Sequence, residues 1–175
     1  MATITRICEF DAAHRVMNEK VKCFNLHGHR FKVEMTFEYF SKGSLGYAID
    51  FKEIKRIGCA WIDEHLDHTC ILNPKDTELI DLCKKNNWRL YIMGFGQDED
   101  INPSAENLAS ELFYILKQLF SGENLSLVNL RLYETPNCWV DTQVYDYVMN
   151  DKGINSLRDW RREKGEMNYD IREEI

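Results

Sequence analysis

The sequence is short of several things, and each shortage closes off a class of protein. Only three prolines and nine glycines occur in 175 residues, which excludes a collagenous or low-complexity chain. No apolar run approaches the ~20 residues that a membrane-spanning helix needs. The opening Met1-Ala2-Thr3-Ile4-Thr5-Arg6 has no long apolar stretch, so no cleaved secretory signal is expected. Basic residues are in deficit, 22 against 29 acids, for a net charge of −7. That argues against a general nucleic-acid or anionic-membrane surface, while leaving room for a local basic pocket. The six cysteines, at 8, 23, 59, 70, 83 and 138, show no short paired spacing and read as reduced thiols of a cytoplasmic protein. No nicotinamide or flavin fingerprint is visible, and no histidine follows His68.

What is present suits one globular domain, with 44% hydrophobic and 29% charged residues. Residues 3–13 read as a first strand and 15–26 as a connecting loop. From Phe31 to Tyr39 the apolar and polar residues alternate with period two, which predicts a half-buried antiparallel strand. Asp50 and Glu53 form an Asp version of a capping box, and Ile54, Ile57, Trp61, Ile62 and His65 continue a helix over 51–65. A second helix is expected from Ser104, with a buried stripe of Leu108, Leu112, Ile115, Leu116 and Leu119 and a stop at Gly122. Strands follow at Leu127–Thr135, with Val128, Leu130 and Leu132 on one face, and at Trp139–Val148. Between the two helices, residues 76–101 suggest an added helix (Glu78–Lys85) and a strand-like piece (Trp88–Phe95). The tail from Asn150 carries six bases and seven acids and suggests a partly helical appendage. The order strand, strand, helix, helix, strand, strand implies an α+β unit, helices on one face of an antiparallel sheet.

Five histidines crowd into positions 14 to 68. His27-Gly28-His29 leads into the second strand, which places both imidazoles on the face of Phe31, Val33 and Met35 if the strand already holds there. Gly28 removes a side chain where the backbone must come close. His14, at the end of the first strand, is positioned as a third ligand. Either these are packed histidines, or they hold a metal with a coordination position left open, the pattern of a catalytic zinc site. Cys23 lies four residues before His27. It reads as a fourth ligand, as a general base whose thiolate a dication favours, or as a small buried apolar residue. Asp67-His68 at a helix exit is either a surface loop or a proton-transfer dyad in which Asp67 fixes the His68 tautomer. His65 reads as a packed core residue. Glu134 continues an apolar face to the end of its strand. It is either a solvated strand-end carboxylate or the acceptor for a planar partner with adjacent N–H donors, such as a pterin or guanine edge.

Four motifs together resemble the 6-pyruvoyl-tetrahydropterin synthase superfamily, and most closely its 6-carboxy-tetrahydropterin synthase branch. They are Phe10-Asp11-Ala12-Ala13-His14-Arg15, Cys23-x-x-x-His27-Gly28-His29, Leu66-Asp67-His68 with Leu72-Asn73, and Tyr133-Glu134-Thr135. Gly46-Tyr47-Ala48-Ile49-Asp50-Phe51 and Pro103-Ser104-Ala105-Glu106-Asn107-Leu108 support them, in the same order across residues 4–148. The resemblance implies the tunnelling fold, ββααββ with a four-stranded antiparallel sheet, over residues 1–149. It leaves 76–101 as an insertion and 150–175 as an extension. It also implies Zn2+ bound by His14, His27 and His29, Cys23 as general base, Asp67 with His68 as proton relay, and Glu134 as pterin anchor. Family members are homohexamers, dimers of trimers, with active sites at subunit interfaces, so the cooperating Cys23 and His68 are expected from different chains.

The spacing of Cys23 from His27 resembles the carboxy branch. There 7,8-dihydroneopterin triphosphate becomes 6-carboxy-5,6,7,8-tetrahydropterin, acetaldehyde and triphosphate, on the way to 7-deazaguanine nucleosides such as queuosine. The alternatives are a pyruvoyl-type lyase that eliminates triphosphate without releasing acetaldehyde, and a non-catalytic zinc- or pterin-binding module closed by Cys23. Arg15, Lys22 and Arg30 are the triphosphate-binding candidates, by proximity to the motifs.

Overall fold

The computed structural model describes residues 2–97, 100–121, 124–146 and 148–165; the helix stop expected at Gly122, position 147 of the expected last strand and the tail from 166 lie outside the described residues. Strands β1 (Thr3–His14) and β2 (His27–Tyr39) pair antiparallel from Thr3↔Glu38 to His14↔His27. β2 therefore begins four residues before Phe31 and carries both histidines of the His-Gly-His motif. It pairs in turn with β5 (Leu125–Thr135), and β5 with β6 (Cys138–Thr142), again antiparallel. This is the four-stranded antiparallel core that the sequence implied.

Two short strands, β3 (Thr69–Leu72) and β4 (Leu90–Ile92), extend it beyond β1 in parallel, giving a mixed six-stranded sheet of order β4-β3-β1-β2-β5-β6. Parallel neighbours need a crossover, which the helix connecting β1–β2 to β3, and α3 (Thr77–Lys85) between β3 and β4, supply. β6 stops well short of Val148. Thr142 Oγ1 donates to the Val144 carbonyl (2.8 Å), and this local turn takes the chain off the sheet.

One alternation read from the sequence is broken. Phe37 pairs with Leu127 and Thr36 with Asn129, so Val128 is an extra residue in a β-bulge. Leu125 and Leu127 are buried before it, Leu130 and Leu132 after it, and Val128 is out of phase with all four.

The first helix spans 51–65 as α1 (Phe51–Ile54), a π-helical turn (Lys55–Cys59) and α2 (Ala60–His65). Asp50 caps it by accepting from the Lys52 N–H at 2.8 Å, and Glu53 pairs with Arg56. A Cβ on Gly58 would stand 2.9 Å from Met35 Sδ, so glycine lets the π turn press onto β2. Ser104 caps α4 (Ala105–Leu119), accepting from the Asn107 N–H at 3.3 Å. The expected stripe on α4 is buried. The tail forms a regular helix, α5 (Asp151–Glu163), capped by Asn150 and buried at Leu157.

Phe10, Phe31, Val33, Met35 and Phe37 of the sheet share one core with Ile54, Ile57, Ile62, Leu112, Phe113 and Leu116 of the helices. Each such side chain removed from water contributes roughly 1.5–3 kcal/mol before chain entropy is counted. The core thus fixes β1 against β2 along their whole length, and their common end carries the histidines.

Candidate active site and metal centre

The β1–β2 register builds the histidine cluster. His14 lies opposite His27, and Ala12 opposite His29, so the three imidazoles share one face beyond Phe31. Their ring centroids are 4.5 Å (His14–His27), 5.2 Å (His14–His29) and 5.0 Å (His27–His29) apart. One ligand nitrogen from each falls within 4.8 Å of the others, and this is the group of metal-capable side chains found among the described residues. A Cβ on Gly28 would stand 3.1 Å from the Ala12 carbonyl oxygen, which is the close approach expected there.

Two backbone carbonyls set the tautomers. His14 Nδ1 lies 2.7 Å from the Pro103 carbonyl and His27 Nδ1 lies 2.7 Å from the Asn25 carbonyl. A carbonyl only accepts, so both Nδ1 atoms carry the hydrogen and both Nε2 atoms present a lone pair. His14 is 1% exposed, and its Nε2 is buried with no hydrogen-bond partner. Such an orphan is costly unless something accepts the lone pair. Burial also holds the His14 imidazole below its ordinary pKa, against the Pro103 bond, so the ring is neutral. Three imidazoles converging on one point, with a buried nitrogen unpaired, fit a divalent cation.

Glu134 reaches this cluster. Its Oε1 is 3.6 Å from His14 Nε2, beyond a hydrogen bond, and its side chain keeps 29% exposure. Cys23 sits exposed on the 3-10 turn Lys22–Phe24, which its carbonyl ties to the β1 exit by accepting from the Val16 N–H at 2.9 Å. Cys23 and Glu134 line one cavity of about 330 Å³, together with Val16, Glu106, Cys138 and Trp139.

Asp67 and His68 form a pair, Asp67 Oδ2 to His68 Nδ1 at 2.5 Å. Asp67 Oδ1 also accepts from the Asp11 N–H at 2.8 Å, and the His68 N–H donates to the Asp11 carbonyl at 2.7 Å. His68 has φ of 56°, a left-handed conformation that costs a residue with a Cβ on the order of 1 kcal/mol. These bonds to β1 hold it there. The imidazole is 73% exposed and borders a cavity of about 640 Å³ with Asp11, His29, Arg30, Trp88 and Arg89. Cys23 and His68 thus line different cavities of the chain, and only His29 of the three clustered histidines borders the cavity of His68.

His65 is half-buried, stacked on Trp61 at 4.3 Å with an interplanar angle of 7°, and its Nδ1 lies 2.8 Å from the Trp61 carbonyl. It packs, as expected. Of the triphosphate candidates, Arg15 is engaged with Asp76 (Nε to Oδ2, 2.8 Å) and Glu78, and Arg30 with Asp11 (2.9 Å). The Arg30 guanidinium beside Asp11 lowers that carboxyl. The sequence reading passed over the Pro103 and Asn25 carbonyls, since a main-chain acceptor has no residue signature. It also passed over Trp88 and Arg89, which an exposed aromatic beside a base could have flagged.

Fold and site together define an α+β protein of the tunnelling-fold type with a three-imidazole centre. Residues 3–144 match the family model of 6-pyruvoyl tetrahydropterin synthase. The chain belongs to that family, and it is an enzyme of it. The 6-carboxy-5,6,7,8-tetrahydropterin synthase of Rickettsia felis is 41% identical over 145 residues, covering 81% of this chain and 99% of that protein. Among solved structures, an uncharacterized protein of Wolinella succinogenes superposes with a TM-score of 0.66 at 20% identity, over 83% of this chain and 98% of that one. The 6-pyruvoyl tetrahydropterin synthase of Plasmodium falciparum does so with 0.60 at 16% identity, over 82% and 98%. The branch resemblance seen in the motifs agrees with the first of these. The matched range ends before α5.

Proposed function

We propose that the chain is a zinc-dependent lyase that converts 7,8-dihydroneopterin triphosphate to 6-carboxy-5,6,7,8-tetrahydropterin, acetaldehyde and triphosphate. The observation that carries this reading is the convergence of His14, His27 and His29 with the buried Nε2 of His14 unpaired, beside the cavity of Cys23 and Glu134. Zinc held by the three imidazoles would supply a Lewis acid for the oxygens of the substrate side chain.

The remaining work falls to this chain's own groups. Glu134 accepts the paired N–H donors of the pterin edge and so orients the ring against the cluster. Cys23, as thiolate, takes a carbon-bound proton from the substrate side chain. Asp67 holds the Nδ1–H of His68, leaving His68 Nε2 to give and take a proton on the other side. In a homohexamer built as a dimer of trimers, a site between subunits brings Cys23 of one chain to His68 of another; their separate cavities within one chain support that arrangement. The catalytic domain on this reading is 1–149, with an insertion at 76–101 and an extension at 150–175. The setting is the cytoplasm, where the product feeds 7-deazaguanine synthesis for queuosine.

The test is product analysis after incubation of the zinc-loaded protein with dihydroneopterin triphosphate. Acetaldehyde and 6-carboxy-tetrahydropterin are expected in equal amounts; triphosphate release without acetaldehyde would assign the pyruvoyl-type reaction instead. In the same assay Cys23→Ala should keep its zinc while turnover falls about 10²–10⁴-fold, the usual size of a lost general base. Loss of zinc in that variant would make Cys23 a ligand and sink its role as base.

A further inference from the structure

Two pairs of cysteines face each other in opposite surroundings. Cys70 of β3 and Cys83 of α3 belong to a small apolar cluster with Leu72 and Ile80. Burial, with the neighbouring Cys83, pushes the Cys70 thiol up to about 11. That pair is inert by the ordinary rule that the thiolate is the nucleophile.

Cys8 and Cys59 meet in a different place. Cys8 lies on the helix-facing side of β1, and Cys59 is the last residue of the π-helical turn. Both are half-buried, and both line a cavity of about 590 Å³ with Glu9, Lys52, Lys55, Arg56, Asp63 and Lys164. Bases outnumber acids there by four to two. Arg6, two residues before Cys8, adds a fifth cation whose Nε is buried with no hydrogen-bond partner. Gly58, one residue before Cys59, lets the π turn press onto Met35 of the neighbouring strand β2.

We propose that Cys59 and Cys8 form a peroxide-reactive dithiol, Cys59 as the attacking thiolate and Cys8 as the resolving thiol, which a hydroperoxide converts into a disulfide tying the π turn to β1. The surroundings divide the roles. The hydrogen bond from the Cys8 thiol, with Arg6 and Lys55, lowers Cys59 to about 7 against the effect of burial. The same bond, with burial, raises Cys8, which keeps its proton. Cys59 is therefore the one of the two thiols favoured as thiolate, with the second thiol lining the same cavity.

The chemistry balances with the hydroperoxide as the only added reagent. The Cys59 sulfur attacks one peroxide oxygen; the S–O bond forms, the O–O bond breaks, and hydroxide leaves to take a proton from solvent. The Cys8 sulfur then displaces the sulfenic hydroxyl. The S–S bond forms, the S–O bond breaks, and the departing oxygen carries the Cys8 proton away as water. With hydrogen peroxide, two thiols lose two electrons and two waters are released.

The experiment treats the full-length protein with limiting hydrogen peroxide, alkylates the remaining thiols, and maps the non-reduced digest by mass spectrometry. A peptide linking Cys8 to Cys59 within one chain is expected while Cys70 and Cys83 are still fully alkylated, with Cys59 consumed at least about tenfold faster than Cys70. In Cys8→Ser, Cys59 should be trapped by dimedone as the sulfenic acid; in Cys59→Ser, Cys8 should stay alkylatable. The wild-type digest decides the matter even if a variant misfolds. A Cys70–Cys83 link at an equal rate would overturn the proposal. So would consumption of the exposed Cys23 or Cys138 with no Cys8–Cys59 link.

Discussion

Four of the five histidines of this chain occupy two sites built on opposite principles. At the common end of β1 and β2, three imidazoles face one another, the innermost 1% exposed and fixed by a main-chain carbonyl, and among the described residues the nearest carboxylate, Glu134, stands 3.6 Å off. At the exit of α2, a single imidazole stands 73% exposed with a carboxylate on its Nδ1. The first arrangement brings ring nitrogens together with one of them buried and unpaired, which suits a cation. The second fixes one ring nitrogen on a carboxylate and leaves the other in the open, which suits proton traffic. Partner and burial, more than residue type, separate a ligand from an acid–base group.

The comparison breaks most completely at His14. In His14→Ala the cluster keeps two exposed-edge imidazoles and loses the buried one. Zinc affinity should fall by more than about 100-fold, beyond the loss typical of an outer-sphere change, and product formation should drop to background. Metal content after dialysis, measured by atomic emission, checks this. A variant that kept its zinc would show the cluster to be mere packing.

Asp67→Asn should leave zinc content unchanged and still cost turnover. An amide at this position permits the wrong His68 tautomer, and a loss of about 10²–10⁴-fold is expected, as for carboxylates that orient catalytic imidazoles. The measurement is a pH–rate profile beside a zinc assay. The limb assigned to His68 should shift, whereas a purely structural defect would scale the whole profile. Loss of zinc in Asp67→Asn would mean that the two sites are one.

The smallest effect tests what supports the second site. Glu64, three residues before Asp67, takes hydrogen bonds from Lys164 and from Trp160 Nε1 (2.7 Å) of the tail. The Lys164 ammonium, then the indole N–H, lower its carboxyl despite partial burial. A carboxyl lowered on folding adds stability above its ordinary pKa near ~4.3 and loses it as pH falls through the folded value. Glu64 is 42% exposed, so the contribution is below about 1 kcal/mol. Urea midpoints from about pH 6 down to about pH 3 should fall slightly less in Glu64→Gln than in the natural chain. A larger difference would make the tail a principal support of the dyad.

Much of this was legible in the sequence, for reasons that differ by region. Period-two alternation from Phe31 to Tyr39 and the stripe on α4 exposed the sheet-and-helix core, because burial there follows the simple periodicities. The histidine cluster was legible because Gly28 between two histidines marks a close backbone approach. Val128 was misplaced because a bulge is set by the partner strand, not by the residues of the bulged one. The parallel strands β3 and β4 were only half seen: four and three residues are too few to show a period. The π turn left no pattern at all, since Lys55–Cys59 reads as ordinary helix until Gly58 meets Met35.

The bulge at Val128 has an arithmetic consequence. In an unbroken β5, residues of one parity share a face, and Leu125 and Leu127 would put Tyr133, not Glu134, among the histidines. One inserted residue changes the parity midway, so the strand packs the core on odd numbers as far as Leu127 and on even ones from Leu130, the parity that Glu134 continues. The reach of Glu134 toward His14 therefore follows a counting step six residues upstream, together with a second register shift against β6 between Tyr133 and Thr135. Lengthening or shortening the strand by one residue between Leu127 and Leu130 would turn the carboxylate to the far face without altering a single residue of the Tyr133-Glu134-Thr135 motif.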